Sequence, residues 1–187
     1  DKIAWYENDG NQVFTEQVIT TNADGALSVY ATDVDGDGDM DVLSASYNDD
    51  KIAWYENNGN QGFTEQVITT NTDYATSVYT TDVDGDGDMD VLSASSYDDK
   101  IAWYENDGNQ VFTEQVITTN AYGAYSVYAT DVDGDGDMDV LSACTDDKIA
   151  WYENDGNQVF TEQVITTNVD RAYSVYATDV DLSLIHI

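Results

Sequence analysis

Asp50-Lys51-Ile52-Ala53-Trp54-Tyr55-Glu56-Asn57 decides the fold, because it does not occur once. The same eight residues begin again at Asp1, Asp99 and Asp147, at spacings of 49, 49 and 48 residues. A period of this size is the signature of propellers, solenoids and arrays.

Working outward from that string, each period holds four β-prone segments. In the first full copy they are 28–32, 40–46, 51–56 and 63–70. They are rich in Val, Ile, Thr, Tyr and Trp, which suit a pleated surface. Along the third segment Ile52 and Trp54 fall on one face, Ala53 and Tyr55 on the other. The third and fourth segments are joined by Asn57-Asn58-Gly59-Asn60, or by Asn8-Asp9-Gly10-Asn11 in the first copy. Such turns predict tight hairpins. No stretch carries sustained 3.6-residue apolar spacing, so almost no helix is expected. Four short antiparallel strands per period is the sequence form of a propeller blade. A parallel β-helix would repeat faster, and an array of small sandwiches would need more strands per unit.

The predicted fold is therefore all-β, with propeller blades of four antiparallel strands. Residues 28–70, 77–119 and 126–167 supply the complete blades. As domains, 1–22 is a partial blade, 23–71, 72–120 and 121–168 are full repeats, and 169–181 is a partial repeat. An open arc is expected, with a closed four-bladed ring as the alternative. Leu182-Ser183-Leu184-Ile185-His186-Ile187 replaces the expected Gly-Asp-Gly-Asp-Met-Asp and reads as a non-native tail read through past a gene fragment. A genuinely divergent terminus is the alternative. The partial fourth loop retains only Asp179 and Asp181 and should hold a cation poorly.

Between the first and second strands lies Asp33-Val34-Asp35-Gly36-Asp37-Gly38-Asp39-Met40-Asp41, repeated at 82–90 and 131–139. Asp33, Asp35 and Asp37 stand at ligand positions one, three and five, and Gly38 stands where a calcium loop turns sharply. Asp39 would give a backbone carbonyl and Asp41 would close the site. The counterparts are Asp82, Asp84, Asp86, Asp88 and Asp90, then Asp131, Asp133, Asp135, Asp137 and Asp139. Ca²⁺ takes oxygen ligands in flexible geometry, and clustered carboxylates without a cation repel one another. Three in-phase copies make three calcium sites the expectation over a merely solvated acidic loop. The side chains of Asp39, Asp88 and Asp137 are the weaker candidates. An EF-hand is excluded: its twelfth position would be Glu, here Ser44, and its flanks would be helices.

The chain carries 38 Asp and Glu against 5 Lys and Arg, a net charge of −33. That field repels nucleic acid and anionic membrane surfaces and favours cations. With 41% hydrophobic and 12% aromatic residues there is material for a core, so the acidity does not imply disorder. No apolar run approaches the roughly 20 residues of a membrane-spanning helix, so membrane insertion is not expected. The single cysteine, Cys144, stands where other copies have Ser46 and Ser95, and reads as a small strand residue.

The Asp-x-Asp-x-Asp-Gly-x-x-Asp loop between β-prone strands, followed by Ile-Ala-Trp-Tyr-Glu-Asn, resembles the FG-GAP/VCBS repeat family, whose propellers are similar to the integrin α-subunit head. The resemblance covers 1–181. It implies a propeller of about seven blades, calcium between the first two strands, and roles in adhesion, carbohydrate binding or surface display. The chain departs from it in holding too few repeats for such a ring.

Near-identical blades do not converge different groups on one point, and no Ser-His-Asp set or phosphate loop is present. An enzymatic role is not expected. Two stretches do vary between copies. One is the linker before the first strand: 23–27, 72–76, 121–125 and 169–173. The other joins the second and third strands: 47–49, 96–98 and 145–146. In an up-and-down blade both emerge on one face, opposite the calcium loops. They bring Tyr47, Tyr74, Tyr97, Tyr122, Tyr125 and Tyr173 there beside acidic groups. Aromatic platforms with polar neighbours suit sugar rings or peptide loops; drift in surface loops is the alternative. Trp5, Trp54, Trp103 and Trp151 read as packing between blades, and Lys2, Lys51, Lys100 and Lys148 as solvated edge charges. The expected function is a calcium-binding interaction module of a secreted or cell-surface protein, with a glycan or an extracellular protein as partner. A calcium-stiffened spacer and a non-catalytic part of a secreted polysaccharide-degrading enzyme are the alternatives.

Overall fold

The computed structural model describes residues 1–178. Asp179, Asp181 and the 182–187 tail lie outside the described residues.

Alternating β-formers punctuated by Gly, Asn and Asp fold into fourteen strands, with no helix among the described residues. A two-stranded unit, β1 (Ile3–Asn8) and β2 (Phe14–Thr20), comes first. Three four-stranded antiparallel meanders follow. They are β3 (Ala26–Thr32), β4 (Asp41–Ser46), β5 (Lys51–Asn57) and β6 (Phe63–Thr69); β7 (Ala75–Thr81), β8 (Asp90–Ser95), β9 (Lys100–Asn106) and β10 (Phe112–Thr118); and β11 (Ala124–Thr130), β12 (Asp139–Cys144), β13 (Lys148–Asn154) and β14 (Phe160–Thr166). The register repeats from blade to blade: Leu43 faces Trp54, Leu92 faces Trp103 and Leu141 faces Trp151.

Blades stack through the two faces of these strands. Ile52 and Trp54 of one blade meet Ala102 and Tyr104 of the next, and Ile101 and Trp103 meet Ala150 and Tyr152. Ala53 and Tyr55 close onto Ile3 of the two-stranded unit and Ala23 of the linker that follows it. Trp54 and Trp103 are buried. Their indoles fill the space between blades, as the alternation predicts. Trp5 and Trp151, on the terminal units, are only partly buried. The first strands also pack on one another, β3 on β7 and β7 on β11. Ser28 Oγ accepts the Val78 N–H, Ser77 Oγ that of Val127 and Ser126 Oγ that of Val175, each at 3.3 Å. The blades form an open arc, not the four-bladed ring weighed as its alternative.

Two local expectations need correction. The turn after the third strand does not stay within the four residues Asn8-Asp9-Gly10-Asn11, although Gly10 takes the positive φ (80°) that such a turn asks for. Residues 9–13 separate β1 from β2, and the Asp9 carboxylate sits inside the loop, accepting the N–H groups of Asn11 (2.7 Å) and Val13 (3.2 Å). A side chain that organises its own turn favours this wider loop over the bare tight turn. Nor are Lys51 and Lys100 solvated edge charges. Lys51 and Lys100 are buried. Lys51 Nζ reaches Glu65 (2.6 Å), Asp49 (3.2 Å) and the Asn22 carbonyl (3.1 Å); Lys100 repeats this with Glu114, Asp98 and Asn71. Burial opposes the charge on both, yet the facing carboxylates outweigh it and hold the ammonium pKa above its ordinary value.

Candidate metal centres and a tyrosine-lined basin

Each acidic loop is curled by its own carboxylates. Asp33 accepts the N–H groups of Gly36 (2.8 Å) and Gly38 (3.0 Å), and Asp37 accepts that of Asp39 (2.8 Å). Gly38, Gly87 and Gly136 have φ of 95°, 101° and 102°, a backbone that side-chain-bearing residues rarely adopt. This is why the sixth position is glycine in every copy. The curl brings one carboxylate oxygen each of Asp33, Asp35 and Asp37 within 4.8 Å of one another, and likewise Asp82, Asp84 and Asp86. In the third loop the grouping is Asp131, Asp133 and Asp139.

Asp41, Asp90 and Asp139 hold the loop to the sheet. All three are fully buried. Asp90 accepts the N–H of Val83 at 2.9 Å and that of Asn106 at 2.8 Å; Asp41 and Asp139 bind Val34 with Asn57 and Val132 with Asn154 in the same way. The Asn side chain then donates to the carbonyl before the aspartate, as Asn106 does to Met89 at 3.2 Å. The Asn that ends the Trp-Tyr-Glu-Asn string of each full blade, Asn57, Asn106 or Asn154, thus belongs to the site. Sequence reading missed it, although its fixed place in every copy was the available signal. Asp39, Asp88 and Asp137 point at Gly59, Gly108 and Gly156 of the hairpin loop, close enough that a Cβ there would collide with the carboxylate. Their side chains are outside the oxygen clusters, which fits a carbonyl-only role.

The electrostatics follow from crowding. Burial pushes Asp35 and Asp84 up, with added repulsion from the neighbouring loop aspartates and from Glu56 and Glu105. Burial also raises Asp41 and Asp139 and carries Asp90 to about 7, against the lowering effect of its two N–H bonds. The donor set is all oxygen, anionic and clustered. It fits a hard divalent cation of calcium's kind, with carbonyls and water to complete six to eight ligands.

The opposite ends of the strands gather both variable stretches, as the up-and-down pattern predicts. The linker and the second loop are tied together: Tyr47 N–H donates to the Gly25 carbonyl and Ser96 N–H to that of Tyr74. Between them opens a basin of about 870 Å³ lined by Tyr47, Tyr97, Tyr122, Tyr125 and Tyr173. Tyr74 is not among its lining residues but stacks on Tyr47 (centroids 4.2 Å, planes 6° apart) and meets the edge of Tyr97 at 5.4 Å. A second aromatic row was not foreseen. Tyr30, Tyr79, Tyr128 and Tyr176 run along the packed first strands with centroids 4.8–4.9 Å apart. Each reads in sequence as an ordinary strand former, and only the stacking of blades lines them up.

A family profile described as "FG-GAP-like repeat" matches four times, at residues 1–44, 33–93, 82–142 and 131–182. Each full match runs from one acidic loop through the next. Comparison with curated proteins finds no match.

Proposed function

Because this chain belongs to the FG-GAP-like repeat family, we propose that it is a calcium-binding propeller module that mediates recognition in a secreted or cell-surface protein. The observation that carries the reading is that each of three successive loops gathers three aspartate carboxylates. A bound cation would neutralise the carboxylates that burial and mutual repulsion now disfavour as anions. The chain's own part is to hold that cluster in place. Gly38 and its counterparts turn the loop, and Asp41, Asp90 and Asp139 pin it to the third strand through Asn57, Asn106 and Asn154. Weak modular sites fill at the millimolar calcium found outside cells.

The partner, a glycan or an extracellular protein, meets the tyrosine-lined face in this reading. In this reading the module is non-catalytic: the clustered aspartates serve the loops, and Cys144 is buried with its thiol pKa raised by that burial. Calorimetric titration of the full chain with calcium tests the reading. It predicts about three sites, one lost on each of Asp33→Asn, Asp82→Asn and Asp131→Asn. No uptake of calcium by the unaltered chain would overturn it.

A further inference from the structure

The basin opposite the metal loops joins exposed aromatic faces to carboxylates. Tyr97 and Tyr122 are 71% and 65% exposed, large for aromatic rings and available on their faces. Asp99 lines the basin with them, and Asp98, its chain neighbour, stands with Asp50 close enough to Asp73 to add to the desolvation that already raises Asp73. Asp98 Oδ2 meets Lys100 at 3.2 Å, while Asp98 Oδ1 is buried without a hydrogen-bond partner. Tyr74 is held there against its backbone preference. It has φ of 59° at the linker position that Gly25 and Gly123 occupy in neighbouring blades, fixed by its N–H bond to Asp50 (2.9 Å). Non-glycine residues in this region cost free energy and concentrate where a site is built.

The charge of the molecule selects the guest. At −33 the chain attracts cations over long range. All four lysines are engaged with glutamates within the described residues, so their charge is already satisfied. Arg171, the cation that lines the basin, comes from the last linker, next to Tyr173, whereas Tyr97 and Tyr122 come from the loop after the second strand of the middle blade and from the third linker. A ring face attracts an ammonium or guanidinium through its quadrupole, and nearby carboxylates add to that attraction. A neutral sugar would gain the stacking but nothing from the charge.

We propose that this basin binds a basic peptide segment, taking a lysine or arginine side chain against the faces of Tyr97 and Tyr122. The inference rests on the reading of this face as the recognition face. The test is fluorescence anisotropy of the calcium-saturated full chain with a labelled lysine-glycine heptapeptide, its trimethyl-lysine and glutamate counterparts, and a panel of neutral oligosaccharides. The lysine peptide should bind and the trimethyl-lysine form should bind at least as well, since cation–π attraction survives loss of the N–H donors. Tyr97→Ala and Tyr122→Ala should each weaken binding about two- to fivefold, whereas the Phe variants keep it. Unchanged binding by both alanine variants would reduce the attraction to bulk charge and overturn the proposal, as would equal binding of the glutamate peptide or binding of oligosaccharides alone. Calcium titration of the same samples separates the two claims. Calcium uptake without peptide binding sinks only the basin assignment, and absence of both sinks the proposed function as well.

Discussion

Asp90→Ala in calcium-free buffer separates what the loop aspartate does for the fold from what it does for the metal. The carboxylate is fully buried and accepts two backbone N–H groups, from Val83 at 2.9 Å and Asn106 at 2.8 Å. Alanine leaves both donors buried and without a partner. Each such orphan costs about 1–3 kcal/mol, so the middle blade should lose about 2–6 kcal/mol, a large part of the roughly 5–15 kcal/mol that holds a domain folded. Relief of a buried charge offsets some of this, because burial already pushes Asp90 to about 7. A net loss of about 2–4 kcal/mol is the expectation after that offset. Urea unfolding in chelator, followed by tryptophan fluorescence, reads it directly. Asp88→Ala is the control, since its side chain faces Gly108 and leaves no backbone donor unpaired. A chelated Asp90→Ala protein within about 0.5 kcal/mol of the unaltered one would refute the reasoning and leave Asp90 a role through the metal alone.

Three further outcomes follow from the same geometry. Burial raises the Asp90 pKa from the ordinary carboxylate range to about 7 and makes the protonated group the better fit to the metal-free fold; its contribution is fully present below about pH 4 and lost as pH rises through about 7. Melting of the chelated protein should therefore fall from pH 5 to pH 8, and saturating calcium should flatten or reverse that slope. Lys100→Met removes a buried ammonium from Glu114, Asp98 and the Asn71 carbonyl. With its partners partly solvated it should cost about 2–3 kcal/mol by urea unfolding, the lower side of a broken buried pair, and more than Lys2→Met in the exposed pair with Glu16. Cys144→Ser restores the residue of the other blades; Ser142, which now faces Cys144 at 3.6 Å, would be free to meet the unpartnered Tyr152 hydroxyl as Ser93 meets Tyr104 at 3.4 Å. Stability should change by less than about 1 kcal/mol, and a larger loss in urea would contradict that reading.

The repeat made most of this legible before any coordinates. Local β-propensity placed the strands to within two residues, because every copy votes for the same boundaries. The third strand's alternation placed Ile52 and Trp54 against the next blade. Loop chemistry marked Asp33, Asp35 and Asp37, since spacing within one short loop is a local property. What escaped was contact between distant segments. Lys51 looks like an edge charge until Glu65, Asp49 and the Asn22 carbonyl close around it. Asn57 looks like a turn residue until its N–H meets Asp41 at 2.7 Å. The Tyr30, Tyr79, Tyr128 and Tyr176 row exists only once blades stack. The gathering of the variable tyrosines was readable because an antiparallel meander sends alternate loops to the same end. The stacking of Tyr74 on Tyr47 was not readable, because Tyr74 takes a backbone conformation that its residue type disfavours.

The most direct test of the account is a pair of melting curves on the full chain, in saturating calcium and in chelator. Each site filled at 100 times its dissociation constant should stabilise the fold by about 2.7 kcal/mol, so the calcium curve should lie well above the chelated one and rise further with calcium concentration. Superimposed curves would contradict the account, leaving the aspartate loops as acidic surface on a propeller that needs no metal.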